Sequence, residues 1–255
     1  MINKSIHIER IFLNKKLERN LKEYPFTIPV VRNFKEIKFR KPVTFIIGEN
    51  GTGKSTLLEA FAVGYGFNPE GGTKNFNFKT MSSHSELYNF LKITKTVNYA
   101  KDGYFLRAES YYNVATEIEK IDEECKAMPG RPIIDSYGGK SLHEQSHGES
   151  FFALLMHRLR GNGMYMFDEP EAALSPSRLL SLLVRMDDLV KQNSQFIIAT
   201  HSPILMAYPN AEIFEIQDGK LKKTIYEETE HYKLTKYFMN CPQKMLQNLG
   251  IETKN

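Results

Sequence analysis

Long apolar runs and signal-type segments are missing from this sequence. Among its 255 residues the longest uninterrupted apolar stretch spans residues 151–156, whereas a membrane-spanning helix needs roughly 20 such residues. The N-terminal residues MINKSIHIER contain no apolar signal core. We therefore expect a cytoplasmic protein that is neither secreted nor inserted into a membrane by its own sequence.

Cysteine and strong net charge are also scarce. The two cysteines, Cys125 and Cys241, form no Cys-x-x-Cys pair, which argues against a disulfide framework and fits a reducing compartment. The net charge of +4 lies in short clusters without a basic tail, so nucleic-acid contact is permitted but not indicated. With 41% hydrophobic and 25% charged residues the composition is that of a globular protein, and the length allows one large domain or two small ones. We predict a single domain over residues 1–255 with a small inserted lobe.

The order of strand-like and helix-like segments predicts an α/β fold. Two β-rich runs, 5–13 and 34–40, flank residues 24–29, where two prolines argue against helix. From residue 43 onward, buried apolar strands alternate with helices, as in a mostly parallel sheet flanked by helices. Strands are predicted at 43–47, 104–108, 164–167, 195–200, 212–216 and 221–226, the last two as a hairpin, and helices at 54–62, 113–126, 149–160, 176–192 and in the final residues.

Two longer segments interrupt this alternation. Residues 66–83 are rich in glycine, asparagine and serine and indicate a loop. Ser83 then predicts the start of a helix that carries Leu87, Phe90 and Leu91 on one face. Residues 110–145 are the candidate inserted lobe.

The strongest motif follows the strand predicted at 43–47. Residues 48–56 read GENGTGKST, which matches G-x-x-x-x-G-K-[ST] between a buried strand and a helix. Backbone amides of such a glycine-rich turn point at phosphate groups, and the helix N-terminus adds partial positive charge. Lys54 should reach the β- and γ-phosphates of ATP, and Ser55 should ligate Mg²⁺. The predicted nucleotide contacts are Gly48, Glu49, Asn50, Gly51, Thr52, Gly53, Lys54, Ser55 and Thr56.

Two other strand ends carry groups suited to hydrolysis. The strand at 164–167 leads into Asp168 and Glu169, and ligands bind at the carboxyl ends of parallel strands. Asp168 is placed to hold Mg²⁺, and Glu169 to act as the general base that polarises the attacking water. The strand at 195–200 leads into His201, which could hydrogen-bond the γ-phosphate, although a histidine at a strand end is more often an ordinary polar residue.

In order, these motifs resemble those of the ABC-class ATPases. The series is the P-loop, QSHGES at 145–150, DEP at 168–170, AALS at 172–175 and THS at 200–202. It is similar to Walker A, signature, Walker B, D-loop and H-loop, and most similar to the small stand-alone AAA_21-type ATPases, relatives of SMC and RecF heads. The resemblance implies a P-loop NTPase of the ABC head type, with an N-terminal antiparallel β lobe and a short inserted helical lobe.

The resemblance further implies a head-to-tail homodimer with ATP at the interface. Ser146 and the backbone amide of Gly148 would contact the γ-phosphate held by the partner subunit. His147 stands where a transporter signature has glycine, and Glu149 where it commonly has glutamine. No glutamine follows the strand at 104–108, so Glu109 is expected to take over the metal and water contact of the Q-loop.

Adenine recognition leaves two interpretations open. By the same resemblance, Tyr24, Phe26 and Arg32 are candidates for contact with the base. For Tyr24 and Phe26, a place in the core of the β lobe is at least as good an interpretation.

Residues 143–147, HEQSH, also match the H-E-x-x-H signature of zinc proteases. That chemistry needs both histidines on one face of a regular helix, whereas turn-forming residues precede this match and Gly148 follows it. We therefore favour the ABC signature at this position.

The biological task is not visible in the motifs themselves. The chain carries a single P-loop, and its inserted lobe is too short for SMC-type coiled-coil arms. Strings similar to those of SMC and RecF heads favour a switch that acts on an unidentified protein or nucleic-acid partner in DNA maintenance or defence. The alternative is the nucleotide-binding subunit of an ABC transporter with separate membrane subunits, and a third hypothesis is a regulatory switch that hydrolyses little ATP.

Overall fold

Two β-sheets organise the computed structural model, which describes residues 5–14, 22–74, 85–124, 132–141, 143 and 147–251. Within these ranges the strands are β1 (Ile8–Leu13), β2 (Glu36–Lys38), β3 (Val43–Ile47), β4 (Leu91–Lys95), β5 (Asp102–Arg107), β6 (Gly163–Asp168), β7 (Gln195–Ala199), β8 (Ala211–Gln217) and β9 (Lys220–Thr224). The α-helices are α1 (Pro29–Asn33), α2 (Lys54–Tyr65), α3 (Tyr111–Glu124), α4 (His147–Ala153), α5 (Pro176–Lys191), α6 (Pro203–Met206), α7 (Glu230–Asn240) and α8 (Pro242–Asn248). Short 3-10 turns lie at Glu86–Phe90, Ile133–Tyr137, Pro170–Ala173 and Tyr226–Glu228, and a π-helical turn at Leu154–Arg158 extends α4.

The larger sheet is the mostly parallel sheet expected from the sequence. Its strands run in the order β5-β6-β7-β3-β8-β9, and all neighbours are parallel except β8 and β9. The turn between β8 and β9 is formed by Asp218 and Gly219, both with positive φ, as in a two-residue hairpin loop. This strand order brings the carboxyl ends of β5, β6, β7 and β3 side by side.

Both faces of the larger sheet are buried. One face packs against α3, α4 and α5 through residues such as Phe167 and Leu182, and the other packs against α2 through residues such as Ile46 and Phe61. All residues of β3, β6 and β7 are buried, which accounts for their mostly apolar sequences. The site-bearing loops at the strand ends therefore rest on a rigid, close-packed layer.

The smaller sheet is antiparallel, in the order β2-β1-β4, and forms the N-terminal β lobe. The prediction of a helix from Ser83 is wrong for Ser85 and the residues that follow it. Ser83 itself lies outside the described residues. Ser85 caps a single 3-10 turn by accepting the backbone N–H of Leu87 at 3.1 Å, and Leu91 then opens β4. Pairing with β1 along Leu91–Lys95 overrides the helical spacing of the apolar residues.

The helical segments match the sequence prediction with some differences. α1 was not predicted, because prolines argue against a helix at residues 24–29. Its proline instead occupies the first helical position, where no backbone N–H is needed. Ser175 precedes α5 as expected, but its side chain makes no capping hydrogen bond within the described part of the chain. Among the described residues, the helices are too short or too polar to cross a bilayer. The extent of the inserted lobe stays a prediction, since residues 125–131, 142 and 144–146 lie outside the described ranges.

Candidate active site

The loop between β3 and α2 encloses the ammonium group of Lys54. Its Nζ donates to the backbone carbonyls of Gly48 and Glu49, at 3.0 Å in each case. The side chain is 3% exposed, and this burial lowers the pKa of Lys54, although nearby carboxylates raise it. A buried cation inside a turn of backbone amides is suited to bind an anion.

Gly53 makes the close approach in this loop possible. It precedes α2 with φ of 96°, a backbone conformation that side-chain-bearing residues rarely adopt. A Cβ atom on Gly53 would lie 2.8 Å from side-chain carbons of both Ile28 and Val30. Thr52 Oγ1 donates to the carbonyl of Glu49 at 2.8 Å and closes the turn. The loop is therefore held from within and from α1.

Ser55 and Asp168 meet beside this loop. Ser55 Oγ donates to Asp168 Oδ1 at 3.0 Å. Burial raises the pKa of Asp168 to about 6, while Arg107 and Ser55 lower it. Within the described ranges no group of three or more histidine, cysteine, aspartate or glutamate side chains forms a metal cage. The hydroxyl of Ser55 and the carboxylate of Asp168 instead supply two oxygen donors. Such a pair fits a Mg²⁺ ion that takes its remaining ligands from phosphates and water.

Arg107 is a further charged residue at this edge and was missed in the sequence. It pairs with Asp168 in the β5–β6 register, and its Nε lies 3.8 Å from Asp168 Oδ2. Its Nη1 donates to Glu59 Oε2 at 2.7 Å. The Glu109 side chain is 90% exposed and lies 3.8 Å from Arg107 Nη2. A lone arginine at the end of an apolar strand was the available signal.

Glu169 lies between two of the predicted catalytic residues. Its Oε1 is 4.0 Å from Lys54 Nζ and 3.4 Å from His201 Nε2. Glu169 adopts the left-handed conformation, with φ of 50°, which is uncommon outside glycine and often found at functional sites. Burial, followed by the charge of Lys54, lowers the pKa of His201, which favours its neutral imidazole.

Two residues without a predicted role hold His201 in place. Glu171 Oε1 accepts the backbone N–H of His201 at 2.5 Å, and burial raises the pKa of this carboxyl. His201 Nδ1 lies 3.1 Å from Nε2 of His231, in the first turn of α7. Glu171 could have been suspected from the string DEPE, whereas His231 carries no sequence signal because it approaches only through the fold.

The predicted signature residues are only partly described. Gly148 lies in α4, where a Cβ atom would meet the carbonyl of Ala173 at 2.9 Å and Nη1 of Arg178 at 2.8 Å. The glycine thus allows α4 to approach the segment that follows Glu169. Ser146 lies outside the described residues.

The adenine candidates separate by burial. Phe26 is 4% exposed and packs edge-on against Phe90 at 4.9 Å between ring centroids, so it belongs to the core of the β lobe. Tyr24 is 63% exposed, and Arg32 is also exposed. Only these two remain accessible to a base.

Within residues 143–146 of the zinc-protease match, the structure describes His143 alone. α4 spans His147–Ala153, and residues 144–146, which connect it to His143, lie outside the described ranges. The His143 ring packs against Tyr112 at 4.7 Å between centroids. The preference for the ABC signature over the zinc-protease match therefore stays a prediction from the sequence.

A mostly parallel sheet of this order, with a P-loop after β3 and an acidic pair at the end of β6, defines an ABC-class P-loop ATPase head. The chain belongs to the AAA domain family AAA_23, whose family model matches residues 19–149. Residues 136–207 match the AAA_21 model, described as an AAA domain and candidate AbiEii toxin of a type IV toxin–antitoxin system. The predicted relationship to AAA_21-type ATPases is thereby confirmed.

Individual relatives agree with this class. An uncharacterized ABC transporter ATP-binding protein of Haemophilus influenzae is 24% identical over 230 residues, covering 80% of this chain and 82% of that protein. The structure of a nucleotide-free ATP-binding cassette from an ABC transporter aligns with TM-score 0.51 and 16% identity, over 90% of this chain and 94% of that one. The SMC head domain of Thermotoga maritima aligns with TM-score 0.42 and 15% identity, over 86% and 99%. The likeness to the cassette supports the fold.

Proposed function

We propose that this protein binds ATP with Mg²⁺ at residues 48–56 and hydrolyses it as a dimerising switch that acts on a macromolecular partner. The observation that carries the proposal is the convergence on one carboxylate oxygen of Glu169. That atom lies 4.0 Å from the ammonium of Lys54 and 3.4 Å from the imidazole of His201. A base, a cation and a hydrogen-bonding imidazole at one point are the groups that phosphoryl transfer to water needs.

Each residue has a distinct role in this proposal. The loop amides and Lys54 bind the β- and γ-phosphates, and Ser55 and Asp168 would hold Mg²⁺, which neutralises charge on the transferred phosphoryl group. Glu169 orients the attacking water and accepts its proton. His201 hydrogen-bonds the γ-phosphate, and Glu109 is the proposed replacement for the Q-loop glutamine.

A second copy of the chain would complete the site. In the proposed head-to-tail dimer, Ser146 and the backbone amide of Gly148 from one subunit contact the γ-phosphate held by the other. ATP binding then closes the dimer on its partner, and hydrolysis reopens it. The partner is proposed to be a protein or nucleic acid in DNA maintenance or defence.

The test of the enzymatic step is ATP turnover in wild type and in Glu169→Gln. We expect the variant to lose at least about 100-fold in turnover, the usual contribution of a general base. Glu227→Gln, an exposed glutamate in the 3-10 turn before α7, is the matched control and should leave turnover unchanged. Equal rates in wild type and Glu169→Gln would remove Glu169 from the mechanism and favour a regulatory switch with little hydrolysis.

A transporter subunit is the second candidate, because the Haemophilus influenzae relative is described as an ABC transporter ATP-binding protein. Co-purification with separate spanning subunits from detergent-solubilised membranes would favour it. Salt-sensitive DNA binding or DNA-stimulated turnover would favour the first candidate instead.

A further inference from the structure

The two histidines beside the P-loop form a hydrogen-bonded pair that the motifs do not explain. His201 Nδ1 and His231 Nε2 are 3.1 Å apart, and their rings are inclined at 49°. Burial lowers the pKa of both residues, so two neutral imidazoles face each other. Between two neutral imidazoles one nitrogen must donate and the other must accept, so the pair has two possible arrangements.

The surroundings of the pair distinguish these arrangements. If His201 donated from Nδ1, its bare Nε2 would face the Glu169 carboxylate oxygen at 3.4 Å, lone pair against lone pair. His231 would then carry its proton on Nδ1, an atom that is buried without a hydrogen-bond partner in the part of the chain that the structure describes. A buried donor without an acceptor is costly.

The opposite arrangement turns the repulsion at Glu169 into an attraction, although His201 Nε2 at 3.4 Å also makes no hydrogen bond within the described residues, and it removes the second conflict. When His231 donates from Nε2, His201 Nδ1 accepts and His201 Nε2 carries the proton that faces Glu169. The unpartnered His231 Nδ1 is then only an unused acceptor, which proteins tolerate better than a buried donor. We propose that His231 is a positioning residue that holds His201 in the tautomer with a proton on Nε2, directed at Glu169 and the γ-phosphate.

The fold supports this role by fixing the start of α7. Tyr226 Oη donates to the carbonyl of Pro203 at 2.9 Å, two residues after His201. Thr229 is fully buried, donates to the carbonyl of Tyr226 at 2.7 Å and accepts the backbone N–H of Tyr232 at 3.3 Å. The loop that carries His201 and the helix turn that carries His231 are therefore held together independently of the imidazole contact.

The decisive experiment measures the tautomer of His201 directly. We would record long-range ¹H–¹⁵N correlation spectra of ¹⁵N-histidine-labelled protein without nucleotide, about one pH unit above the ordinary histidine pKa. Wild type should show His201 protonated on Nε2 and bare on Nδ1. His231→Glu, whose carboxylate only accepts, should place a proton on Nδ1, whereas His231→Gln, whose amide can donate, should retain the wild-type pattern.

ATP turnover supplies the second readout and rests on the proposed hydrolysis. We expect His231→Leu to lose about 10- to 100-fold in kcat, the loss seen when a metal-ligating histidine loses its outer hydrogen-bond partner. His231→Gln should recover most of that loss, and ATP affinity should stay unchanged because Lys54 and the loop amides are untouched. His157→Leu, at an exposed histidine, is the matched control and should retain wild-type turnover.

The outcomes separate the two ideas. An unchanged His201 tautomer in folded His231→Glu would overturn the positioning role, whatever the turnover, and so would wild type with the proton on Nδ1. Loss of turnover in His231→Leu without rescue by His231→Gln would also count against it. Wild type that hydrolyses no ATP but shows the predicted tautomer change would refute the proposed function alone.

Discussion

At the scale of single residues, the candidate site contains a buried ammonium group and a buried carboxyl group, both removed from water. Lys54 and Asp168 are both almost fully buried. Burial lowers the pKa of Lys54 and raises the pKa of Asp168, so it favours the neutral form of each group. Such buried charges reduce the stability of the free protein, and a ligand of opposite charge offsets that loss of stability. The arrangement therefore supports the proposal of a site for phosphates and a divalent cation.

Replacing Asp168 by asparagine should stabilise the protein in the absence of nucleotide. Burial raises the pKa of Asp168 from 3.8 to about 6. The carboxyl group therefore contributes its full stabilisation of the fold only at pH values below its pKa in the unfolded chain, and this stabilisation is lost as the pH rises through about 6. Asp168→Asn has no such loss, and Arg107 keeps its ion pair with Glu59. We expect a gain of about 1–3 kcal/mol in the free energy of unfolding near pH 8 and a smaller gain near pH 5.

Denaturant unfolding of both proteins at these two pH values checks this prediction. Ser55→Ala serves as a comparison, because it removes the hydrogen bond to Asp168 and leaves the buried charge in place. A less stable Asp168→Asn protein at the higher pH, or a gain independent of pH, would contradict the account of Asp168.

At the scale of elements, α1 links the β8–β9 hairpin to the P-loop. Asn33 Nδ2 donates to the carbonyl of Gly219 at 3.0 Å, and a Cβ atom on Gly219 would lie 2.5 Å from Pro29 Cβ. The residues around the start of α1, Ile28 and Val30, in turn contact Gly53 of the loop. The hairpin turn therefore supports the phosphate-binding loop through one short helix.

Gly219→Ala should destabilise the fold more than the same change at Gly250. Both glycines have similar positive φ, 66° and 76°, so the backbone strain of alanine is comparable at the two positions. Only at Gly219 does the new Cβ meet a neighbour, Pro29, whereas nothing lies within 4 Å of the corresponding point at Gly250. We expect losses of about 2–4 kcal/mol at Gly219 and at most about 1 kcal/mol at Gly250.

Thermal and denaturant unfolding would measure the loss of stability in Gly219→Ala and in Gly250→Ala. ATP affinity should also fall in Gly219→Ala if α1 shifts, since α1 bounds the loop at Gly53. Equal losses of stability in the two variants would show that α1 and the hairpin do not restrain each other.

At this scale the limits of the sequence are also clear. The P-loop, Asp168, Glu169 and His201 were predictable because each follows a buried parallel strand, and adjacent strand ends meet at one edge of a sheet. β4 was not predictable, since pairing with β1 overrides the helical spacing of its residues. Arg107, Glu171 and His231 were missed because their contacts with the site depend on strand register, a carboxylate-to-backbone bond and the return of α7.

At the scale of the whole molecule, the proposed cycle requires a second subunit. Glu169→Gln should bind ATP and Mg²⁺ without hydrolysing it and should accumulate as a dimer, because the closed state can no longer decay through hydrolysis. Light scattering should show twice the monomer mass with ATP and Mg²⁺, and monomer mass for the double variant Lys54→Ala/Glu169→Gln. Glu169→Gln that stays monomeric at saturating ATP and Mg²⁺ would count against the head-to-tail dimer.

Residues 48–56 are proposed to bind a nucleoside triphosphate, and calorimetric titration of ATP with Mg²⁺ tests this binding most directly. Wild type should bind, and Lys54→Ala should bind about 10- to 100-fold more weakly while retaining its fold, because one charge-assisted hydrogen-bond donor is lost. Lys244→Ala, at an exposed lysine of α8, should bind as wild type does. Wild-type protein that takes up no ATP when magnesium is supplied, or Lys54→Ala that binds as tightly as wild type, would contradict the account.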